Sequence, residues 1–186
     1  MKLKKLFLLT AIIFSVSYTL AQPKKYEAIK QDSFITYKLT HPLHEVEGTS
    51  KESVCLIYAD VEKKEIKNVL VEVAVASFNS GNSNRDSHAM EVVNAISLPV
   101  AKFLSTKVVQ SGDSVKIYGN LTFHGITRDI VVNAFTNWEN DKLIVDGNFD
   151  ISLTDFKVER PSLLLIPVND NLNFTLKQVF NLNTPS

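Results

Sequence analysis

The side chains able to do chemistry are few and scattered. The chain of 186 residues carries four histidines and one cysteine. His41 and His44 lie three apart in Leu39-Thr40-His41-Pro42-Leu43-His44-Glu45, and His88 and His124 follow much later. Imidazole suits transition metals, so His41 and His44 with His88 or His124 make a candidate metal site. Pro42 breaks any regular helix between the first pair, so their spacing does not give them a shared face. Loop histidines bonded to backbone are the commoner arrangement, and the ligand spacing is weak; no metal is assigned. Cys55 sits in Val54-Cys55-Leu56-Ile57-Tyr58, a strand-like run with nothing beside it to activate a thiolate. It reads as a buried free thiol, and a lone cysteine allows no intrachain disulfide.

The remaining charged candidates are equally modest. Asp146 and Asp150 fall on the polar side of one strand and read as solvated. Asp170 precedes the last strand and can tie down its start. Arg85-Asp86 follows the turn-rich run Asn79-Ser80-Gly81-Asn82-Ser83-Asn84, where a loop meets a helix. Asp86 there complements the helix dipole, and a substrate-binding Arg85 is the rarer alternative. There is no glycine-rich phosphate loop, no G-x-S-x-G elbow, no C-x-x-C and no H-E-x-x-H. No catalytic residue is assigned, and an enzyme is not expected.

The elements that must position these residues are strands. Period-two alternation dominates the chain. Leu143, Val145, Gly147, Phe149, Ile151 and Leu153 share one face of 143–153, opposite Ile144, Asp146, Asn148, Asp150 and Ser152. Val115, Ile117, Gly119, Leu121 and Phe123 do the same in 115–123, and Leu172, Phe174 and Leu176 in 172–178. Val69, Val71, Val73 and Val75 line one face of 69–77. With 33–39, 53–59, 100–109 and 129–136 this predicts about eight strands. Ser111-Gly112-Asp113-Ser114, His124-Gly125-Ile126-Thr127 and the Asn137–Asp141 segment read as turns, so 100–153 is expected to be an antiparallel meander. One short helix is expected over 88–95, capped by Ser87 or Asp86 and ended before Pro99.

Strands with one apolar face must stack or close. The expected fold is all-β, an antiparallel barrel of about eight strands whose interior is filled or holds one small ligand. Gly119 and Gly147 interrupt the inward stripes. A mid-strand glycine marks either a bend or room for something close, and periodicity does not separate the two.

Composition and charge narrow the partners. Hydrophobic residues make up 45% and charged residues 22%, as in ordinary globular chains. The formal charge of zero conceals two unlike parts. Lys2, Lys4 and Lys5 precede the apolar run Leu6–Tyr18, and Thr19-Leu20-Ala21 ends on a small residue before Gln22. This is the pattern of a cleaved export signal over residues 1–21. The run is short for a membrane span, and no cysteine stands near the cleavage point to carry a lipid. Cleavage leaves 165 residues with 17 basic and 20 acidic side chains, a charge of −3. Such a chain is a poor partner for nucleic acid or an anionic membrane surface. The expected organisation is a signal at 1–21, a lead-in at 22–32 and one domain at 33–182, located in the periplasm or secreted.

An ordered set of segments resembles the YceI-like family. Ser33-Phe34-Ile35-Thr36-Tyr37 leads to a histidine and then Gly48. Ser77 to Asp86 is followed by His88, and Pro99-Val100-Ala101-Lys102-Phe103-Leu104-Ser105 comes next. Gly119-Asn120-Leu121-Thr122-Phe123-His124-Gly125-Ile126-Thr127-Arg128 is the most specific piece, with Asp155-Phe156 and Asp170 closing the set. The resemblance spans about residues 33–180. It implies a lipocalin-like β-barrel with a long apolar cavity, carrying a polyisoprenoid or other long-chain amphiphilic lipid in the periplasm. A lipid such as a polyprenyl quinone is the implied ligand, no cofactor is implied, and a homodimer is a family-level expectation only. The chain departs from the pattern in its second histidine at His44, in the lack of aromatics over Ala89–Ile96, and in the apolar run Arg160-Pro161-Ser162-Leu163-Leu164-Leu165.

Three functions follow for comparison. In a lipid carrier, Phe103, Leu121, Phe123, Phe149, Ile151 and Phe174 line the tunnel, and Arg85, His88 and His124 place the head group at its mouth. A metal protein or enzyme would instead use the histidines. A filled structural barrel would use the same aromatics simply as core.

Overall fold

Period-two patterning becomes pleated strands with one buried face. In a computed structural model, residues 22–163 and 165–185 are described. Residues 1–21, expected to be an export signal, lie outside them, as does Leu164 of the apolar run. The strands are β1 (Lys24–Glu27), β2 (Phe34–His41), β3 (His44–Ser50), β4 (Val54–Asp60), β5 (Glu65–Ala74), β6 (Val100–Ser111), β7 (Ser114–Phe123), β8 (Ile126–Trp138), β9 (Lys142–Ser152), β10 (Ser162–Leu163), β11 (Ile166–Pro167) and β12 (Asn171–Asn181). One α-helix, α1 (Ser83–Val92), lies between β5 and β6, and two short 3-10 turns complete the list.

Ten strands form one antiparallel sheet in the order β1-β4-β5-β6-β7-β8-β9-β12-β2-β3, and β10 pairs with β11 separately. The sheet is strongly curled, and among the described residues no ladder joins its edge strands β1 and β3. The expected closed barrel of about eight strands is therefore corrected to an open, curled ten-stranded sheet. Two isolated bridges lace the rim, Ala28 to Phe180 and Thr49 to Asn79. All eight expected strands are present. The two further strands had weak signals for a physical reason. β1 is only four residues long, and β3, His44-Glu45-Val46-Glu47-Gly48-Thr49-Ser50, carries a single large apolar residue. β3 still buries Val46 at 9% and Ser50 at 0% exposure, so its inward face is short and partly polar rather than absent.

The meander β6-β7-β8-β9 forms as patterned. Gly112 opens the two-residue β6–β7 turn at φ 58°, a position that glycine occupies without strain. His124 and Gly125 both take positive φ, 50° and 72°, in the β7–β8 turn. Two consecutive left-handed residues give the twist that matches the flanking strands.

The helix is displaced from its expected span of 88–95. It starts at Ser83 because Asn82 caps it, accepting from Arg85 N at 3.1 Å. Neither Ser87 nor Asp86 is the cap. Asn is among the best N-caps, and the polar run that reads as loop is also a helix start. The end comes before Pro99 but earlier than expected. Asn94 takes φ 48°, Ala95 N bonds to Met90 O at 2.9 Å, and Asn94 N bonds to Glu91 O at 3.0 Å. That pair of bonds terminates a helix by satisfying its last carbonyls.

Asp170 ties down the start of β12, as its position suggests. Its carboxylate accepts from Ser152 Oγ at 2.5 Å, Thr154 N at 2.9 Å and Thr154 Oγ1 at 2.5 Å. The bonds from Ser152 and then Thr154 hold the carboxyl below the usual carboxylate range. The lowered group stabilises the fold above the unfolded value of about 3.9. That stabilisation is lost as pH falls through the lower folded value. Asp170→Asn is expected to lower the urea midpoint at pH 7. The gap from the wild type should narrow in titrations carried below about pH 4.

Candidate binding cavity

Curling turns the apolar stripes inward, but they do not fill the space evenly. Tyr26, Val115 and Leu143 are at most 2% exposed and belong to a packed core. Val71, Phe149, Phe174 and Leu176 also point inward, yet they are only half-buried. The space beside them is a cavity of about 220 Å³. A wholly filled barrel is therefore not what this sheet makes.

The six apolar residues expected along a carrier's tunnel, Phe103, Leu121, Phe123, Phe149, Ile151 and Phe174, line this cavity. β9 and β12 bring Phe149 and Phe174 into direct register. Their rings stack with centroids 4.7 Å apart and planes 5° from parallel. Phe123 packs against Phe156 at 5.7 Å with planes tilted by 58°. Helix α1 and the segment after β5 close over one side through Phe78, Asp86, Ala89, Met90 and Val93. Asp86 and Ala89 or Met90 follow helical spacing, so they share one face of α1, and the C-cap residue Val93 follows at the same spacing.

Gly119 has a specific occupant. A Cβ there would meet Leu104 O at 2.5 Å and the Phe103 ring at 2.6 Å. The missing side chain is room for an aromatic ring of the wall, not for a ligand. Gly147 is also close-packed: a Cβ there would lie 3.3 Å from Leu176 Cδ1.

The three head-group candidates are not among the cavity-lining residues. Arg85 is committed to the loop before α1, donating from Nε to Ser80 Oγ at 2.9 Å and from its terminal nitrogen to Ser80 O at 2.8 Å. His88 has a side chain 65% exposed, 3.9 Å from Glu91. His124 donates from Nδ1 to Phe156 O at 3.0 Å and pins the β7–β8 turn to the loop after β9. The lining carboxylate is Asp86, which accepts from Ser80 N at 3.2 Å and from Ser80 Oγ at 2.5 Å. It stands in the first turn of α1, where the dipole favours a negative charge. Tyr37, across the cavity wall, has its hydroxyl pKa raised, first by burial and then by the Asp86 carboxylate.

The histidines do not converge. His41 is 3% exposed; its Nε2 donates to Ile166 O at 3.0 Å and its Nδ1 accepts from Leu43 N at 3.1 Å. Both ring nitrogens are thereby used by backbone. His44 lies beside it, ring centroids 5.1 Å apart. Among the described residues no group of three or more His, Cys, Asp or Glu is placed to hold a metal ion. Cys55 is a free buried thiol in the cavity wall, its pKa pushed up to about 12 by burial.

Gln178 and Tyr37 are among the lining residues that the stripe reading passed over. Gln178 continues the count of Leu172, Phe174 and Leu176 at the same spacing, but its polar type hid it. Tyr37 lies in an expected strand, yet nothing local shows that it faces a void.

Residues 26–180 match the YceI-like domain. A UPF0312 protein from Pseudomonas syringae pv. syringae is 29% identical over 141 residues, which is 70% of this chain and 73% of the relative. The crystal structure of Burkholderia cenocepacia BcnA superposes with a TM-score of 0.74 at 19% identity, covering 82% of this chain and 98% of that one. A polyisoprenoid binding domain from Saccharophagus degradans, implicated in plant cell wall breakdown, gives a TM-score of 0.63 at 10% identity, covering 86% of this chain and 98% of that one.

The packing around Gly119 predicts that Gly119→Ala destabilises the fold by about 1–3 kcal/mol, measured by urea unfolding, because backbone and ring must both shift. Cys55 is expected to resist a charged thiol reagent at pH 8 in the folded protein and to react fully once the protein is unfolded in urea.

Proposed function

The chain belongs to the YceI-like family, and we propose that it is an exported binding protein that holds a long-chain amphiphilic lipid. A polyisoprenoid is the first candidate. The observation that carries this reading is the unfilled apolar cavity, walled by Phe149, Phe174, Phe123 and Leu176 and covered on one side by α1. Burying an apolar chain there gains about 25 cal/mol per Å² removed from water, offset by the ordering of chain and wall. Burial alone accomplishes this, so the role requires no catalytic group and no metal.

The family supports the reading, and so does the Saccharophagus degradans neighbour, which is described as polyisoprenoid binding. Export rests on the signal pattern of residues 1–21. It would deliver a domain of charge −3 to the periplasm or the medium, as a carrier, a store or part of a stress response. No helix of the described residues is long and apolar enough to cross a membrane. In that setting a lipid with a long apolar chain needs a shield from water, and the cavity supplies one.

Organic extraction of the protein purified from its native host, followed by mass spectrometry, is expected to recover a long-chain lipid in near-stoichiometric amount. Val71 faces the open space from β5, so Val71→Phe should reduce the recovered lipid severalfold while leaving thermal stability equal or higher, as cavity filling does. Repeated extractions without lipid, together with no binding of added prenyl lipid, would sink the proposal.

A further inference from the structure

We propose that the end of the curled sheet beside α1 docks on the surface of a phospholipid bilayer, through the apolar tips Leu43, Ile96, Leu165 and Ile166. This goes beyond the lipid-binding reading above, because it assigns the surface through which an occupant passes between bilayer and cavity. Ile96 and Leu165 are each 97% exposed, Leu43 61% and Ile166 41%. One exposed aliphatic side chain is ordinary, but several on one rim mark an interaction surface.

Strand direction brings the tips together. At this end β2 turns into β3 through Leu43, β5 leads out to α1 and Ile96 before β6 returns, and β9 leads out to β10 and β11 before β12 returns. Bonds join these connections into one rim. His41 Nε2 donates to Ile166 O at 3.0 Å, and Asn169 N donates to Thr40 O at 2.8 Å. His124 holds Phe156 O of the loop after β9, and a Cβ at Gly125 of the same turn would stand 3.5 Å from Leu98 Cδ2. The rim surrounds the cavity, since Leu39, Phe123, Val158 and Pro161 all line it.

Charge orients this end towards lipid. The segments carrying the tips, 41–44, 92–101 and 160–169, contain Arg160 and no Asp or Glu. The turns at the opposite end, 60–65, 111–114 and 138–142, hold six carboxylates against three lysines. Among the described residues, none of the large exposed apolar side chains lies in those turns. Lipid phosphates therefore repel the acidic end and meet the acid-free end without that cost. The aliphatic tips can then leave water by entering the boundary between head groups and acyl chains. A stable protein interface uses about 20–30 residues a side and is enriched in aromatics. Four aliphatic tips on three connections fit a fluid apolar layer better than a second folded surface.

Flotation with phosphatidylcholine vesicles tests this. Wild-type protein is expected to rise with the vesicles. Ile96→Gln combined with Leu165→Gln should lower the bound fraction at least about tenfold, with the thermal midpoint unchanged. Phe135, 64% exposed on the outer face of β8, supplies the control, and Phe135→Gln should float as the wild type does. A wild type that stays at the bottom of the gradient, or an equal loss in Phe135→Gln, would overturn the proposal. So would a dimer, seen by sedimentation, that the paired rim substitutions split, because the tips would then meet a second copy. Extraction of the same preparations separates this from the lipid-binding reading. Lipid recovered from protein that does not float removes the docking surface alone and leaves the cavity's role standing.

Discussion

An antiparallel sheet with one apolar face has to remove that face from water. Here the twisted sheet does so by curling on itself, and every functional feature depends on how completely the enclosed space is filled. In the packed region, Val115 and Leu143 are almost wholly buried. Elsewhere the same inward alternation leaves Phe149, Phe174 and Leu176 half-exposed around a void. Core and cavity are made by one pattern and differ in whether facing side chains meet. The aromatic contacts show where they do. Phe149 and Phe174 stack across adjacent strands, and the Phe103 ring lies in the gap that Gly119 leaves. The wall is thus stiffened within the sheet without being plugged across it.

The polar groups near the cavity serve mainly to hold this shell. Arg85 and Asp86 both grip Ser80, so the loop before α1 and the first turn of the helix are tied together. Asn82 begins the helix and Asn94 stops it, which sets the length of the cover over the cavity. His41 and His124 each bond to a backbone carbonyl far along the chain, at Ile166 and Phe156. Their chemistry here is that of staples for loops, which suits imidazole because it offers a donor and an acceptor on one rigid ring. Asp170 secures the start of β12 in the same way, with Ser152 and Thr154.

Much of this was legible in the sequence. The meander strands and the inward stripes holding Leu121, Phe123, Phe149, Ile151 and Phe174 followed from period-two counting, because a strand sends alternate side chains to opposite faces, whereas the turns came from glycine and polar turn residues and Phe103 from the family resemblance. β3 was missed because its inward face is Val46, Gly48 and Ser50 rather than a stripe of large apolar residues. The helix start was missed because Asn82 and Ser83 belong to a composition shared by loops and caps. Arg85, His88 and His124 were plausible head-group contacts by residue type alone. Their actual partners, Ser80, Glu91 and Phe156, depend on loop paths that no local pattern encodes. The outer face was read as polar, yet Leu104, Val131 and Phe135 stand exposed on it, Phe135 at 64%.

The sequence by itself determined the strand faces, the turn positions and an all-β sheet with an apolar inside, since alternation and left-handed turn residues are local properties of the chain. Its formal charge of zero is the sum of +3 over residues 1–21 and −3 over residues 22–186. Tertiary structure alone decided that, among the described residues, ten strands curl without a closing ladder, that space remains beside Phe149 and Phe174, and that the oxygen of Gln178 is buried with no partner among those residues. Those outcomes depend on which residues meet across the sheet. Volume left over between distant strands is a sum over non-local contacts, and no one segment contains it.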